Sequence, residues 1–216
     1  MSHRAVIFDL DGTLIDSLAD IGLAANAVLE SFGLPMHPLS RYKDFIGEGV
    51  GRLFQRALPE AQRTDEWIAR SGAAFQSAYA NRWNQKTMLY PGICDLLDAL
   101  RVRQVPMAVL SNKPDSFTRQ CVEHFLAPWS FAAVAGEKPP TPRKPDPQGA
   151  LLIAQTLQID PEEILYLGDT PVDMQTARRA GMTAIGVAWG FRPPSELTES
   201  GAEAVINAPL EALRWF

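Results

Sequence analysis

The chain has 216 residues, of which 46% are hydrophobic and 21% charged, which is the composition of a folded globular protein and not of a disordered one. This length provides one sizeable core, with room for a smaller appended unit. The formal net charge of -5 argues against a general nucleic-acid-binding protein, because such proteins are usually basic.

The first predicted element is a buried strand near the N-terminus. Residues 1–4 lead directly into Ala5–Phe8, a continuous apolar run rich in residues that favour strands. We therefore expect no signal peptide, and no stretch of the chain approaches the roughly 20 apolar residues that span a bilayer. We therefore expect a cytoplasmic protein without a membrane partner.

Helical periodicity fills the region that follows the first strand. A helix is predicted over 17–32, and residues 37–86 contain no convincing strand. We therefore expect residues 16–86 to form a helical insertion, and residues 1–15 and 87–216 to form the core together. Further helical patches within the insertion lie at 39–45, 50–57 and 65–83.

Strand and helix alternate through the rest of the chain, apart from an expected loop in the proline-rich stretch 138–147. Such alternation predicts an α/β fold, a Rossmann-like doubly wound parallel sheet with helices on both faces. The predicted strands lie at 106–110, 131–134, 164–167, 183–187 and 204–206, and the predicted helices lie at 93–103, 114–125, 147–157, 171–180 and 210–215.

Three segments rich in polar and charged residues directly follow predicted strands. They are Asp9–Thr13, Ser111–Lys113 and Gly168–Asp173. Ligands bind at the carboxyl ends of the strands in an open parallel sheet. If the strands are neighbours, residues about 100 and 160 positions beyond Asp9 therefore converge on one crevice.

The first segment can carry nucleophilic chemistry. Asp9 and Asp11 are two residues apart in an extended segment, so both carboxylates can face one pocket. One carboxylate can attack phosphorus to form an acyl phosphate, and the other can act as general acid and base. Gly12 permits a sharp turn, and Thr13 supplies a hydroxyl near the phosphate. An ordinary Asp-Gly turn is the alternative interpretation of this segment.

The segment after the strand at 164–167 suggests a magnesium site. Mg²⁺ prefers carboxylate and water oxygens, so Asp9 and Asp169 could share one ion, with the backbone carbonyl of Asp11 as a third ligand. Such an ion would offset the repulsion between the nucleophile and the phosphate. Asp173 lies one turn into the next helix, where capping of the helix N-terminus is an equally good interpretation.

Two other segments could bind the phosphoryl group. The hydroxyl of Ser111 and the amide groups of residues 111–113, including Asn112, precede a predicted helix and could form an anion site. Lys144 could contact phosphoryl oxygens and neutralise the charge that develops there. The alternatives are a plain N-cap at Ser111 and a solvated lysine at position 144.

These segments, in this order, resemble the four motifs of the haloacid dehalogenase-like hydrolase superfamily. Residues 9–13 are similar to its first motif and Ser111 to its second. Lys144 is similar to the third motif, and residues 168–173 are similar to the fourth. The helical insertion over 16–86 resembles the helical cap of this family.

The resemblance implies a role for each matched residue in a magnesium-dependent phosphatase. Asp9 would be the nucleophile and Asp11 the general acid and base, whereas the dehalogenases lack an acid at the latter place. Ser111 and Lys144 would bind the phosphoryl group. The same three magnesium ligands are implied, and Asp173 would act through water or through Lys144.

Within the superfamily, four stretches look like the phosphoglycolate phosphatase group, which makes a small phosphorylated metabolite the expected partner. Arg41, Lys43 and Arg52 are the insertion cations nearest to Gly47–Gly51, and a small carboxylate could pair with one of them. For any single one of them, a solvated surface charge is the favoured interpretation, because Arg and Lys are usually exposed. The four stretches are Phe45–Gly51, Leu89–Gly92, Leu110–Lys113 and Val187–Phe191.

Several alternatives stay open at this point. Pyrophosphatases and sugar-phosphate phosphatases share much of the pattern, and a β-phosphoglucomutase-like mutase could share the whole catalytic set. A non-catalytic phosphometabolite-binding protein is disfavoured because Asp9, Asp11 and Lys144 are all present. Either a monomer or a homodimer is compatible with the sequence.

Overall fold

The computed structural model describes residues 3–216, which divide into two compact units. The first unit contains the described residues up to Ile15 together with Leu89–Phe216, and the second is Asp16–Met88. Residues 1 and 2 lie outside the described part. The sequence-based predictions of the core and of an N-terminus without a signal peptide both include them. None of the helices in that part has the length and apolar content that crossing a bilayer demands.

A six-stranded parallel sheet forms the centre of the first unit and confirms the predicted α/β fold. Its order is β5-β4-β1-β6-β7-β8, with β1 between β4 and β6. A separate two-stranded sheet, β2 (Ile15–Asp16) with β3 (Met88–Leu89), lies where the chain passes between the units. The six strands are β1 (Ala5–Phe8), β4 (Met107–Pro114), β5 (Ala133–Glu137), β6 (Ile164–Gly168), β7 (Thr183–Val187) and β8 (Ala204–Ile206).

Both faces of this sheet are buried, which confirms the doubly wound arrangement. Ile7 on one face packs in a cluster with Ile153, Met174 and residues of neighbouring strands. Phe8 points to the opposite face and is also fully buried. The helices of this unit are α5 (Ile93–Val102), α6 (Asp115–Phe125), α7 (Gln148–Leu157), α8 (Pro171–Arg179) and α9 (Pro194–Glu199).

Several elements of this unit differ from the sequence-based expectation. Strand β4 continues past Leu110 to Pro114, with a register shift against β5. The expected strand ended at residue 110 because the residues after it are polar, although their backbone is still extended. Ser111–Lys113 therefore lie within the strand, and the expected helix N-terminus at these residues is wrong. The alternative of a plain N-cap at Ser111 is wrong for the same reason, whereas the predicted contact of Ser111 with a phosphoryl group stays a prediction. Helix α9 was not predicted, because six residues are too few for a periodic pattern. The C-terminal Pro209–Trp215 forms a 3-10 helix and not an α-helix.

The second unit is built from helices. Its aromatic core includes Phe54, Phe75 and Tyr79, which are buried, with the rings of the last two stacked 5.3 Å apart. The four α-helices are α1 (Leu18–Ser31), α2 (Tyr42–Phe45), α3 (Val50–Ala57) and α4 (Asp65–Ala80), with 3-10 turns at Leu39–Arg41 and Glu60–Gln62.

A buried carboxylate joins the two ends of this unit. Asp20, in the first turn of α1, is only 1% exposed. Its Oδ2 accepts hydrogen bonds from the backbone amides of Lys86 and Thr87 at 2.9 and 2.8 Å and from the Thr87 hydroxyl at 2.7 Å. The side chain therefore connects the start of α1 to a segment 66 residues later in the chain.

We expect Asp20→Ala to lower the free energy of unfolding by about 2–4 kcal/mol, because it leaves buried donors without their acceptor. Glu30→Ala, an exposed acid on the same helix, is the matched control and should change stability by no more than about 0.5 kcal/mol. Urea denaturation followed by circular dichroism measures both. A loss for Asp20→Ala no larger than that of the control would contradict the structural role of this carboxylate.

Candidate active site

Three buried carboxylates meet at the carboxyl ends of the central strands. Asp9 directly follows β1, and its backbone amide donates to Leu167 O at 2.9 Å, so it still lies in the line of the sheet. Asp169 follows β6, and Asp173 lies in the first turn of α8. Asp9, Asp169 and Asp173 are 5%, 0% and 0% exposed, and a carboxylate oxygen of each lies within 4.8 Å of the others.

A single lysine is bonded to two of these carboxylates. The Lys144 ammonium donates to Asp9 Oδ1 at 2.8 Å, to Asp173 Oδ1 at 2.6 Å and to the backbone carbonyl of Leu110 at 3.0 Å. A lysine has three N–H donors, so these acceptors use all of them. The predicted contact of Lys144 with a phosphoryl group would therefore require the exchange of one of these bonds.

Burial and neighbouring charges together shift the pKa values of this cluster. Burial raises the pKa of Asp9 to about 7, against the lowering effect of the Lys144 ammonium. Burial also raises the pKa of Asp169 well above its usual range, and the charges of Asp9 and Asp173 add to that effect. Burial lowers the pKa of Lys144, but Asp173 and Asp9 outweigh it and raise that pKa well above its usual value.

The charge balance of the cluster suits a divalent cation. Three buried carboxylates face the one ammonium group of Lys144, so their full ionisation leaves two negative charges without a partner. Closely spaced carboxylate oxygens are the donor set that Mg²⁺ prefers. Asp9 and Asp169 belong to this donor set, as expected. Asp173 stands within the same oxygen cluster, although it was expected to act only indirectly.

Asp173 caps a helix and also pairs with Lys144, and its role toward a metal ion stays a prediction. It caps α8, because Thr170 donates to its Oδ2 through the backbone amide at 3.1 Å and the hydroxyl at 2.6 Å. Its other oxygen accepts from Lys144. Capping and charge pairing are therefore properties of the same side chain.

Asn112 holds the backbone of Lys144. Its Nδ2 donates to Lys144 O at 3.0 Å, and its Oδ1 accepts from Lys144 N at 2.8 Å. The sequence predicted a phosphate contact for the Asn112 region through its backbone amides, and this stays a prediction. The carboxamide itself holds the loop that carries Lys144. Ser111, buried beside it, accepts a hydrogen bond from Lys113 N at 3.2 Å through its Oγ.

Asp11 is paired with a second buried lysine. The Lys113 ammonium lies 2.9 Å from Asp11 Oδ1 and 3.1 Å from Oδ2, and the lysine side chain is 4% exposed. Lys113 was not among the predicted site residues. Its position two residues after Ser111 in an extended segment, hence on the same side of the strand, was the available signal.

The loop after β7 completes the surroundings of Asp169. The sequence did not indicate this contact. Phe191 N donates to Asp169 Oδ2 at 2.8 Å, and the Thr13 hydroxyl, expected near the phosphate, donates to Asp169 Oδ1 at 3.2 Å. Trp189 Nε1 donates to Thr13 O at 3.0 Å. A Cβ at Gly190 would lie 2.2 Å from Asp169 Cβ, so only glycine fits there.

The predicted cations of the helical unit are exposed, and two of them have acidic neighbours within that unit. Arg41 lies 3.1 Å from Asp44, and Arg52 lies 3.6 Å from Glu48. Lys43 is also exposed. Their predicted contact with a substrate carboxylate stays a prediction.

Comparison with known proteins gives consistent matches along nearly the whole chain. The model of the family described as haloacid dehalogenase-like hydrolase matches residues 6–187. The phosphoglycolate phosphatase of Chromobacterium violaceum is 34% identical over 212 residues, which cover 96% of this chain and 94% of that protein. Phosphoglycolate phosphatase 1 of Pseudomonas aeruginosa is 32% identical, over 94% of this chain and 76% of its own length.

Solved structures agree with these matches. A crystal structure of a candidate phosphoglycolate phosphatase from Lactobacillus delbrueckii subsp. bulgaricus superimposes with a TM-score of 0.92 at 32% identity, covering 98% of this chain and 97% of that one. A haloacid dehalogenase-like hydrolase from Streptococcus pneumoniae gives a TM-score of 0.88 at 27% identity, covering 99% and 98%.

Proposed function

Because this chain belongs to the haloacid dehalogenase-like hydrolase family and is a phosphatase of that family, we propose that it hydrolyses small phosphomonoesters through a phosphorylated Asp9 in the presence of Mg²⁺. One observation carries this proposal. Asp9 is buried at the end of the central strand β1, bonded to Lys144 and within 4.8 Å of two further carboxylates. This is the environment that a carboxylate nucleophile for a phosphate dianion requires.

Asp9 and Asp169, with the backbone carbonyl of Asp11, would hold the magnesium ion. When bound, the ion would supply positive charge that offsets the repulsion between carboxylate and phosphate. The hydrogen bonds from Thr13 and Phe191 fix both oxygens of Asp169, so this ligand is oriented in advance.

In the first step, Asp9 attacks the phosphorus atom. Lys144 donates to its Oδ1 and so orients the carboxylate. A bond forms between a carboxylate oxygen of Asp9 and phosphorus as the bond from phosphorus to the ester oxygen breaks. Asp11 gives its proton to that ester oxygen, and the substrate alcohol leaves. The phosphoryl group is then bound to Asp9 as an acyl phosphate.

In the second step, water regenerates the enzyme. The Asp11 carboxylate takes a proton from the water as the water oxygen attacks phosphorus. The bond between phosphorus and Asp9 breaks, which returns the Asp9 carboxylate and releases inorganic phosphate. Lys144 stays paired with Asp9 and Asp173 through both steps and keeps the nucleophile in place.

The expected substrate is a small phosphorylated metabolite, and phosphoglycolate is the leading candidate. The named relatives from Chromobacterium violaceum and Pseudomonas aeruginosa, at 34% and 32% identity, support this candidate. We propose that Asp16–Met88 is a cap that excludes water from the site and takes part in substrate choice. We also propose a cytoplasmic location, as predicted from the sequence.

A panel of phosphate compounds tests the proposal. The purified protein should release phosphate from phosphoglycolate and p-nitrophenyl phosphate with Mg²⁺ and lose that activity with excess EDTA. Pyrophosphate and hexose phosphates, ranked by kcat/KM beside them, test the related specificities. Isomerisation of a hexose phosphate that depends on a bisphosphate activator would instead identify a mutase. No release from any member of the panel would contradict the proposed function.

A further inference from the structure

Lys113 is a second buried ammonium group at the site, and the proposed chemistry does not use it. Its side chain is 4% exposed and contacts both oxygens of Asp11, at 2.9 and 3.1 Å. A lysine is rarely buried to this extent unless it is paired, and holding it there costs solvation free energy. A role in the reaction would explain why the chain places this charge here.

The two buried lysines at the site differ in what their charges face. Lys144 donates to three acceptors of the protein itself, two of which belong to the inner carboxylate cluster. Lys113 faces Asp11, the residue that would hand a proton to the ester oxygen. The charge of Lys113 therefore lies on the side of the leaving alcohol and not on the side of the nucleophile.

The distances fit a group on the leaving alcohol. A carboxyl that protonates an ester oxygen lies about 3 Å from it, and Lys113 lies 2.9 Å from that carboxyl, so its Nζ is within about 6 Å of the ester oxygen. In an ester of a 2-hydroxy acid, the carboxylate oxygens lie only about 3 Å from the ester oxygen. A carboxylate at that carbon can therefore reach the lysine directly.

We propose that Lys113 binds a carboxylate carried by the leaving alcohol, next to the ester oxygen, and so selects phosphoesters of short 2-hydroxy acids. This inference rests on the proposed function and names its substrate class. In the free enzyme Lys113 pairs with the Asp11 carboxylate. In the complex, where Asp11 carries the proton for the ester oxygen, the substrate carboxylate is the anionic partner of Lys113. A charge-assisted bond of this kind is formed only with substrates that bring the anion.

A purely structural role predicts a different result. If Lys113 only orients Asp11, its removal slows the hydrolysis of every phosphoester by the same factor, because Asp11 is the general acid for all of them. If it binds a substrate carboxylate, the loss is large for a substrate with that group and small for one without it. The test therefore compares two substrates and not one.

The two probes are phosphoglycolate and 2-hydroxyethyl phosphate, which replaces the carboxylate by a neutral hydroxymethyl group. We expect Lys113→Met to lower kcat/KM for phosphoglycolate by about 30- to 100-fold and for 2-hydroxyethyl phosphate by about 3-fold. Lys113→Arg should recover most of the loss, because it restores the charge. Lys138→Met, an exposed lysine, is the matched control. Equal losses for both probes would overturn the inference.

A binding measurement separates this inference from the proposed function. The Asp9→Asn substitution stops turnover, so calorimetry can measure binding in this background. Adding Lys113→Met should weaken the binding of phosphoglycolate at least about 10-fold and change the binding of 2-hydroxyethyl phosphate by no more than about 2-fold. Lys113→Gln, which keeps hydrogen-bond donors without charge, is a second variant if the methionine variant fails to fold. Equal weakening of both probes would overturn the inference even if the enzyme is active. Absence of turnover by the native chain would contradict only the proposed function.

Discussion

Asp9→Asn should lower phosphate release by about 10⁴-fold or more, the largest effect that we expect from any single substitution in this chain. The amide has nearly the same shape and can still accept a hydrogen bond from Lys144 through its oxygen. It carries no negative charge, so it can neither attack phosphorus effectively nor form the acyl phosphate. The rate of phosphate release from phosphoglycolate under saturating Mg²⁺ is the measurement.

A second carboxylate substitution provides the control for this prediction. Asp95→Asn removes an exposed acid from α5 and should leave the rate within about 2-fold of the native enzyme. An acid quench during turnover should trap phosphate on the native protein and not on Asp9→Asn. Substantial activity in Asp9→Asn, above about a tenth of the native rate, would rule out Asp9 as the nucleophile.

Lys144→Met should reduce both activity and stability. The methionine side chain is apolar, so the carboxylates of Asp9 and Asp173 lose the one ammonium group that binds both. Breaking a buried charge pair in this way costs about 3–5 kcal/mol of unfolding free energy. The nucleophile also loses its fixed orientation, and we expect kcat to fall by about 10³-fold.

Urea denaturation and steady-state kinetics measure these two effects separately. Lys138→Met, in the same proline-rich loop but exposed, is the control and should leave both quantities nearly unchanged. Both are measured with and without Mg²⁺, because a bound cation would stabilise the carboxylates left by the variant. A Lys144→Met protein as stable as the control would show that the lysine does not balance the buried carboxylates.

The sheet and the position of Asp9 could be predicted because they follow from local patterns. Apolar runs such as Ala5–Phe8 and Thr183–Val187 mark buried strands, and the structure has both with the predicted bounds. The parallel arrangement then places the ends of these strands at one edge. The continuation of β4 through Ser111–Lys113 was not predicted, because these polar residues lack the apolar pattern that indicates a buried strand.

The residues that were missed owe their roles to distant partners. Lys113 pairs with a carboxylate 102 positions away, and Phe191 donates to one 22 positions away. Asn112 looks like part of an anion site in sequence, whereas its carboxamide holds the backbone of Lys144, 32 residues later. No local periodicity encodes such pairings, so they emerge only when the fold brings the strand ends and loops together.

The pairing of β2 with β3 has a consequence for how this protein can change over evolutionary time. The Asp16–Met88 segment leaves and re-enters the first unit through neighbouring strands, so its two ends are only about 5 Å apart. An inserted segment whose own termini lie close together fits such a junction. The entropic cost of closing the chain rises only slowly with the length of the insertion. The four charged site residues all lie outside this segment, namely Asp9, Lys113, Lys144 and Asp169. Replacement of Asp16–Met88 during evolution therefore leaves these residues in the chain.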